Sequence, residues 1–304
     1  MKHAEIVIIG GGPAGLCAAV SAAKSGSKVL IIDRNKILGG QLIKQTHMFF
    51  GSEKQYASTR GIDIPEILIN ELLKYKENVE IKTDSTVVGM YEDGIITVLE
   101  KEDNYYKIRP KSVIVATGAY EKFLSFPNND LPGIYGAGAV QTLMNVYGVK
   151  PGNKVLMVGA GNIGLIVSYQ LMQAGVEVKA IIDAAPKIGG YLVHASKIRR
   201  MGVPIMTSHT VKEAIGYEFL QKVVICKVDE KFNYVEGTEI SFDVDVMCIS
   251  VGLTPLNELL AMRGCEMKYI PQLSGLVPVR NENYETSVEN IFVAGDATGV
   301  EEAS

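Results

Sequence analysis

Gly10-Gly11-Gly12-Pro13-Ala14-Gly15, set directly behind the apolar run Glu5 to Ile9, is the stretch on which the reading of the fold turns. The run before it, EIVII, has no polar alternation, which is the pattern of a strand buried on both faces of a parallel sheet. Behind it, Pro13 to Ser25 consists of small helix-forming residues, and Lys28 to Ile32 (KVLII) is a second apolar strand. Strand, glycine turn, helix and strand make one βαβ unit. Glycines at 10, 12 and 15 give G-x-G-x-x-G. The first permits the tight turn, the second lets the backbone approach a pyrophosphate, and the third lets helix and strand pack closely. The helix N-terminus favours the anion, which makes Gly10, Gly12, Pro13, Ala14 and Gly15 candidate dinucleotide contacts. Asp33 stands 18 residues after Gly15, at the end of the second strand, with Arg34 beside it. A carboxylate there can accept hydrogen bonds from ribose hydroxyls.

The pattern returns about 149 residues later: Lys154 to Val158 (KVLMV), a glycine turn, a helix over Leu165 to Ala174, and a strand over Glu177 to Ile182. The second fingerprint is Gly159, Gly161 and Gly164, enclosing Asn162 and Ile163, with Asp183 19 residues after its last glycine. A carboxylate at Asp183 would repel a 2′-phosphate, and Ala184-Ala185-Pro186-Lys187 offers no arginine to hold one. NAD(H) is therefore expected in preference to NADP(H).

Between the two copies, Val79 to Lys82, Thr86 to Met90 and Ile95 to Glu100, with Asp93-Gly94 as a hairpin signal, suggest a small antiparallel sheet. Ser112 to Ala116 (SVIVA) is another buried strand, ending at Thr117-Gly118. Val223 to Val228 and Val244 to Val251 repeat that order downstream, and Asn290 to Ala294 is a last strand ending in Gly295-Asp296. The sharpest break in composition is Val149-Lys150-Pro151-Gly152-Asn153.

A chain of 304 residues has room for two domains. A net charge of −4 gives no long-range pull toward nucleic acid, which is set aside as a partner. No run of about 18 apolar residues occurs, so no membrane span is expected. The N-terminus lacks a basic region followed by a long apolar stretch, so a cytoplasmic location is expected. Cys17, Cys226, Cys248 and Cys265 lie far apart with no Cys-x-x-Cys, and no metal site is expected. Cys17, Cys226 and Cys248 sit among apolar residues and read as packing. Cys265 stands in a polar stretch and takes no role.

Gly10 to Gly15, Asp33, Gly39-Gly40-Gln41, Ala116-Thr117-Gly118, the second fingerprint and Ala294-Gly295-Asp296 together resemble the two-dinucleotide-binding flavoprotein superfamily of pyridine-nucleotide-dependent oxidoreductases. The resemblance covers essentially the whole chain. It implies that the first fingerprint, Ala116, Thr117, Gly118, Gly295 and Asp296 hold FAD. It also implies that Gly40 and Gln41 run by the flavin, that Thr86-Val87 falls at the adenine, and that the second fingerprint holds NAD(P). The fold implied is α/β, with two Rossmann-like three-layer nucleotide-binding domains. The NAD domain, residues 121–252, is inserted into a discontinuous FAD domain, residues 1–120 and 253–304. The reaction implied is hydride exchange between nicotinamide C4 and flavin N5, for which the protein mainly stacks two rings. Disulfide reductases of the superfamily relay electrons through paired cysteines, and both segments that carry such pairs are cysteine-free here. A thiol relay is therefore rejected.

Thr117-Gly118-Ala119-Tyr120-Glu121-Lys122, Phe126-Pro127, Leu131-Pro132-Gly133-Ile134 and Gly136-Ala137-Gly138-Ala139-Val140-Gln141 carry a closer likeness. They look like the FAD- and NAD-binding alpha subunit of amine, opine, sarcosine and proline dehydrogenases and the related subunit of hydrogen cyanide synthase. That likeness implies an electron-handling subunit docked with a second flavoprotein. Two alternatives stay open: a stand-alone NADH oxidoreductase using a small electron acceptor, and a non-catalytic subunit in which one site holds a mononucleotide such as ATP. The oligomeric state is left open.

Lys44 and His47 are the titratable groups expected nearest the flavin edge. A histidine there could shuttle a proton and a lysine could stabilise anionic reduced flavin. Equally, they read as a hydrogen-bonded loop histidine and a solvated lysine. Met48-Phe49-Phe50 beside them could wall the flavin or belong to the core. The superfamily usually follows its Gly-Asp pair with a helix, whereas this sequence stops at Ser304, so the expectation is a flavin site that is completed by further chain, completed by another subunit, or open and weak.

Overall fold

The computed structural model describes residues 1–49 and 52–301. Phe50 and residues 302–304, on which two of the expectations fall, lie outside the described residues. The chain forms two units, Met1–Tyr120 with Leu253–Ser304, and Glu121–Gly252.

The first unit opens with β1 (Lys2–Ile9), α1 (Pro13–Lys24) and β2 (Val29–Ile32). All four β2 residues are buried, and Ile6 to Ile9 pair parallel with Val29 to Ile32. Pro13 occupies the first turn of α1, where a missing N–H costs no helix bond. Next come α2 (Ile64–Leu73), β3 (Val79–Lys82), β4 (Ser85–Met90), β5 (Ile96–Glu100), β6 (Asn104–Val115) and the short β7 (Ala119–Glu121). Leu16, Ala19 and Ala23 of α1 meet Leu68 and Leu72 of α2 in one core cluster with Ile8 and Ile31 of the sheet, the stripe spacing of helices lying on a sheet.

Val79 to Lys82 corrects the sequence reading. It joins no antiparallel sheet but lies parallel beside β2 as an edge strand. The β4–β5 hairpin, in turn, continues the main sheet through antiparallel pairing of β5 with β6. Short alternating strands look alike in sequence whichever neighbour they take.

The second unit holds β8 (Ile134–Gly136), α3 (Ala137–Gln141), β9 (Lys154–Val158), α4 (Asn162–Gln173), β10 (Glu177–Asp183), α5 (Leu192–Arg200), β11 (Ile205–Thr207), β12 (His209–Gly216), β13 (Leu220–Lys227), β14 (Ile240–Asp243) and β15 (Val246–Ile249). A five-stranded sheet in the order β11-β10-β9-β15-β8 is parallel throughout. One face packs on α3, α4 and α5 and the other on the sheet β12-β13-β14, giving three layers. The Val149 to Asn153 break lies inside this unit, ahead of β9.

The chain then returns to the first unit as β16 (Leu253–Pro255), α6 (Glu258–Met262), β17 (Met267–Ile270), β18 (Gly275–Pro278) and β19 (Ile291–Val293). β19 slots parallel against Val113 to Val115 of β6, so the parallel run reads β3-β2-β1-β6-β19. Among the described residues, no helix is long and apolar enough to cross a membrane.

Candidate functional site

The carboxyl ends of β1, β6 and β19 lie side by side, where open α/β sheets bind ligands. Ala116 N donates to Ile9 O at 2.8 Å and Ala294 N to Val115 O at 2.9 Å. This aligns three motifs far apart in sequence: the Gly10 turn, Ala116-Thr117-Gly118 and Gly295-Asp296. Each glycine of the first turn is under a different pressure. Gly10 has φ +106°, and a Cβ on it would fall 2.3 Å from Ala116 O. A Cβ on Gly15 would fall 1.8 Å from Gly10 O. A Cβ on Gly12 meets only Gly40 Cα, at 3.7 Å, so the backbone there stands open.

Asp33 is 6% exposed. Its Oδ2 accepts Gly11 N at 2.6 Å and its Oδ1 accepts Asn35 N at 2.7 Å. The carboxylate expected at a ribose thus holds the glycine turn, and Arg34 is the exposed side chain beside it. Gly39 N donates to Gly11 O at 2.8 Å, laying Gly40 against Gly12 and leaving Gln41 exposed. Gly295 packs on Ala14, 2.7 Å from a would-be Cβ. The Thr117 hydroxyl donates to Leu256 O, and Leu256 N donates to Gly118 O at 2.9 Å. Asp296 is open to solvent, yet partial desolvation by its surroundings pushes its carboxyl pKa upward. Val87 turns its side chain into the core; Thr86 and Val88 are the exposed residues of β4.

Lys44 ends the short helical turn that follows Gly40. The His47 ring stacks on Phe49 with centroids 5.4 Å apart, and Gly61 N donates to His47 O at 3.1 Å. Phe49 belongs with the core cluster beside α2, while Met48 is exposed.

The second unit repeats the turn. Gly159 has φ +110°, with Ser250 O 2.0 Å from a would-be Cβ, and a Cβ on Gly164 would fall 2.0 Å from Gly159 O. Nothing lies within 4 Å of a Cβ on Gly161. Asp183 accepts Ala160 N at 2.7 Å and Ala185 N at 2.8 Å, the arrangement of Asp33 over again. Asn162 opens α4 and accepts Tyr191 N at 2.7 Å, and Ile163 is exposed. Two features went unread in the sequence. Glu121 caps α3 by accepting Gly138 N at 2.6 Å, a contact no spacing announces. The other is a second double glycine, Gly189-Gly190. Its signal was present, since Gly39 and Gly189 each stand six residues after their aspartate.

All four cysteines are free. Cys226, Cys248 and Cys265 are buried, and burial pushes each thiol pKa up. The Cys265 Sγ lies 3.4 Å from Thr286 Oγ1, which gives this cysteine a packing place. Cys17 corrects the expectation: it is exposed, because α1 turns Leu16, Ala19 and Ala23 inward and position 17 falls on the other side. Among the described residues no group of three or more His, Cys, Asp or Glu could hold a metal ion.

The pyridine nucleotide-disulphide oxidoreductase family model matches residues 4–304. The chain belongs to this family. Within the pyridine nucleotide-disulphide oxidoreductases it is one without a redox disulfide. It is similar to the alpha subunit of sarcosine oxidase from Corynebacterium sp. (strain U-96), 28% identical over 98% of this chain and 31% of that protein. It is also similar to an opine oxidase subunit of Agrobacterium tumefaciens (strain Ach5), 25% identical over 97% of this chain and 61% of that protein. The chain thus spans about a third and three-fifths of these relatives. The fold is that of T. acidophilum thioredoxin reductase, with TM-score 0.78 at 23% identity over 100% of this chain and 93% of that one.

Proposed function

We propose that the chain is an FAD-dependent oxidoreductase exchanging hydride between NAD(H), held by its second unit, and FAD, held by its first. In this reading it is the electron-handling subunit of an amine or amino-acid dehydrogenase, works in the cytoplasm, and passes electrons to a second flavoprotein or a small acceptor. The observation that carries the reading is the doubled glycine turn. Each unit has one, each is clamped by a buried or half-buried aspartate, and each leaves its middle glycine, Gly12 or Gly161, open where a Cβ would fill the cradle. Both cradles fit a dinucleotide pyrophosphate.

When bound, the cofactors supply the redox chemistry, a hydride moving between nicotinamide C4 and flavin N5. The residues supply binding and orientation. In the first unit the backbone N–H groups at Gly12, Ala14 and Gly15 face the anion, and Asp296 accepts a ligand hydroxyl. Gly40, Gln41, Ala116, Thr117 and Gly118 line the same sheet edge, and Arg34 and the β4 backbone at Val87 reach the adenosine end. Lys44 and His47 hold or move a proton. In the second unit Gly159, Gly161, Asn162, Ile163 and Gly164 form the cradle, and Asp183, with no arginine following, favours NAD(H) over NADP(H). The subunit role draws on the names of its relatives, which are themselves subunits of a sarcosine oxidase and an opine oxidase.

Affinity purification of the tagged chain from its own cells tests this. A yellow protein releasing FAD, with a second flavoprotein in stoichiometric yield, is expected. A colourless protein would contradict the oxidoreductase reading, and a yellow one without a partner would contradict the subunit role.

A further inference from the structure

The two double glycines, Gly39-Gly40 after Asp33 and Gly189-Gly190 after Asp183, each fold their loop back onto a glycine turn. Gly39 N donates to Gly11 O at 2.8 Å, and Gly190 N to Ala160 O at 2.9 Å. Three of these four glycines are required by the protein itself. Gly39 has φ +119°, and a Cβ on it would fall 2.7 Å from Ile43 Cγ2 and 2.8 Å from Pro65 Cγ. A Cβ on Gly40 would fall 2.8 Å from Gly12 Cα, and one on Gly190 would fall 2.9 Å from Gly161 C and 3.0 Å from Asn162 N.

Gly189 has no such reason. Its φ lies outside the left-handed region, and it is exposed, so no packing selects against a side chain. Among the described residues the nearest heavy atom to a Cβ on it is Gly161 Cα, at 4.0 Å, an ordinary contact. An alanine would fit the folded chain and restrict the unfolded one, so the protein's own stability favours a side chain at this position. The place of that Cβ carries the argument. It would stand beside Gly161, whose own Cβ position has nothing within 4 Å. Gly161 from the turn and Gly189 from the loop are thus neighbours, and each lacks a side chain that the protein has room for.

We propose that Gly189 is a second backbone wall of the dinucleotide cradle: the diphosphate that comes up against Gly161 passes the loop at Gly189 too closely for a Cβ. The inference rests on the NAD(H) reading of this unit and adds a contact residue from outside the fingerprint. A side chain at 189 fills the gap the diphosphate needs, as one at 161 does. Gly190 has the other task in the loop, since it lets the backbone close onto the turn and so brings Gly189 to the ligand.

Calorimetric titration of the full chain with NADH and, separately, ADP-ribose tests it, using the wild type, Gly189→Ala and Gly189→Val. ADP-ribose carries the diphosphate without the nicotinamide. Gly189→Ala should melt at the wild-type temperature or slightly above it. It should weaken NADH and ADP-ribose alike by about tenfold, with Gly189→Val weaker still for both. Equal NADH affinity in wild type and Gly189→Ala would overturn the inference alone. So would a loss confined to NADH, which would put the methyl against the nicotinamide end, or a lowered melting temperature for Gly189→Ala, which would make the glycine a need of the fold. A wild-type protein that takes neither NADH nor ADP-ribose would overturn the NAD(H) reading beneath it.

Discussion

Asp33 accepts the backbone N–H of Gly11 at 2.6 Å from 22 residues further along the chain. The bond joins the end of β2 to the turn after β1 and fixes the shape of the glycine loop before any ligand arrives. Asp183 does the same for Ala160 at 2.7 Å. Both aspartates therefore act first on the protein's own backbone.

Replacing Asp33 by Ala leaves the buried Gly11 N–H, and the part-buried Asn35 N–H, without their acceptor. A stability loss of about 1–3 kcal/mol is expected for such orphaned groups, with weaker flavin retention, read by urea unfolding and by flavin content after gel filtration. An Asp33→Ala variant as stable as wild type, with flavin lost, would mean instead that the carboxylate serves only the ligand.

Gly161→Ala separates binding from folding. Gly161 has φ −73°, which any residue adopts, and a Cβ there has nothing within 4 Å. The variant should melt with wild-type Tm while NADH affinity falls roughly tenfold or more, because the methyl stands where the pyrophosphate must approach. Gly164→Ala, whose Cβ would fall 2.0 Å from Gly159 O, should lose stability as well.

Desolvation raises the Asp296 carboxyl above its ordinary value. The sign follows from linkage: a folded-state pKa above the unfolded value of about 3.9 gives stability that is full below that value and lost as pH rises through the raised one. Asp296→Asn, which keeps the uncharged form, should make the flavin-free protein more stable than wild type at pH 7 and equal to it below about pH 3.5. Its flavin retention should fall. Denaturant unfolding of the flavin-free proteins at both pH values checks this, and a variant less stable at pH 7 would reverse it.

What was legible in the sequence was whatever rests on local backbone chemistry. Gly10 and Gly159 need positive φ, Gly15 and Gly164 press on the carbonyls of those same residues, and strands such as KVLMV admit only a buried position. Long-range choices were less legible. Nothing in Val79 to Lys82 says that it will pair with β2 and not with β4. Cys17 lies among alanines in the sequence, but its exposure depends on which side of α1 faces the sheet. Asp33 and Asp183 were found by position, while their bonds to Gly11 and Ala160 follow from how closely each turn packs on the strand end. The second double glycine was readable from its spacing, since Gly189 follows Asp183 by the same six residues as Gly39 follows Asp33.

Anaerobic addition of NADH to the purified protein while recording the visible spectrum tests the central claim most directly. Bleaching of a flavin band by NADH, and much more weakly by NADPH, is the predicted result. A bound flavin that stays oxidised in the presence of saturating NADH would contradict it.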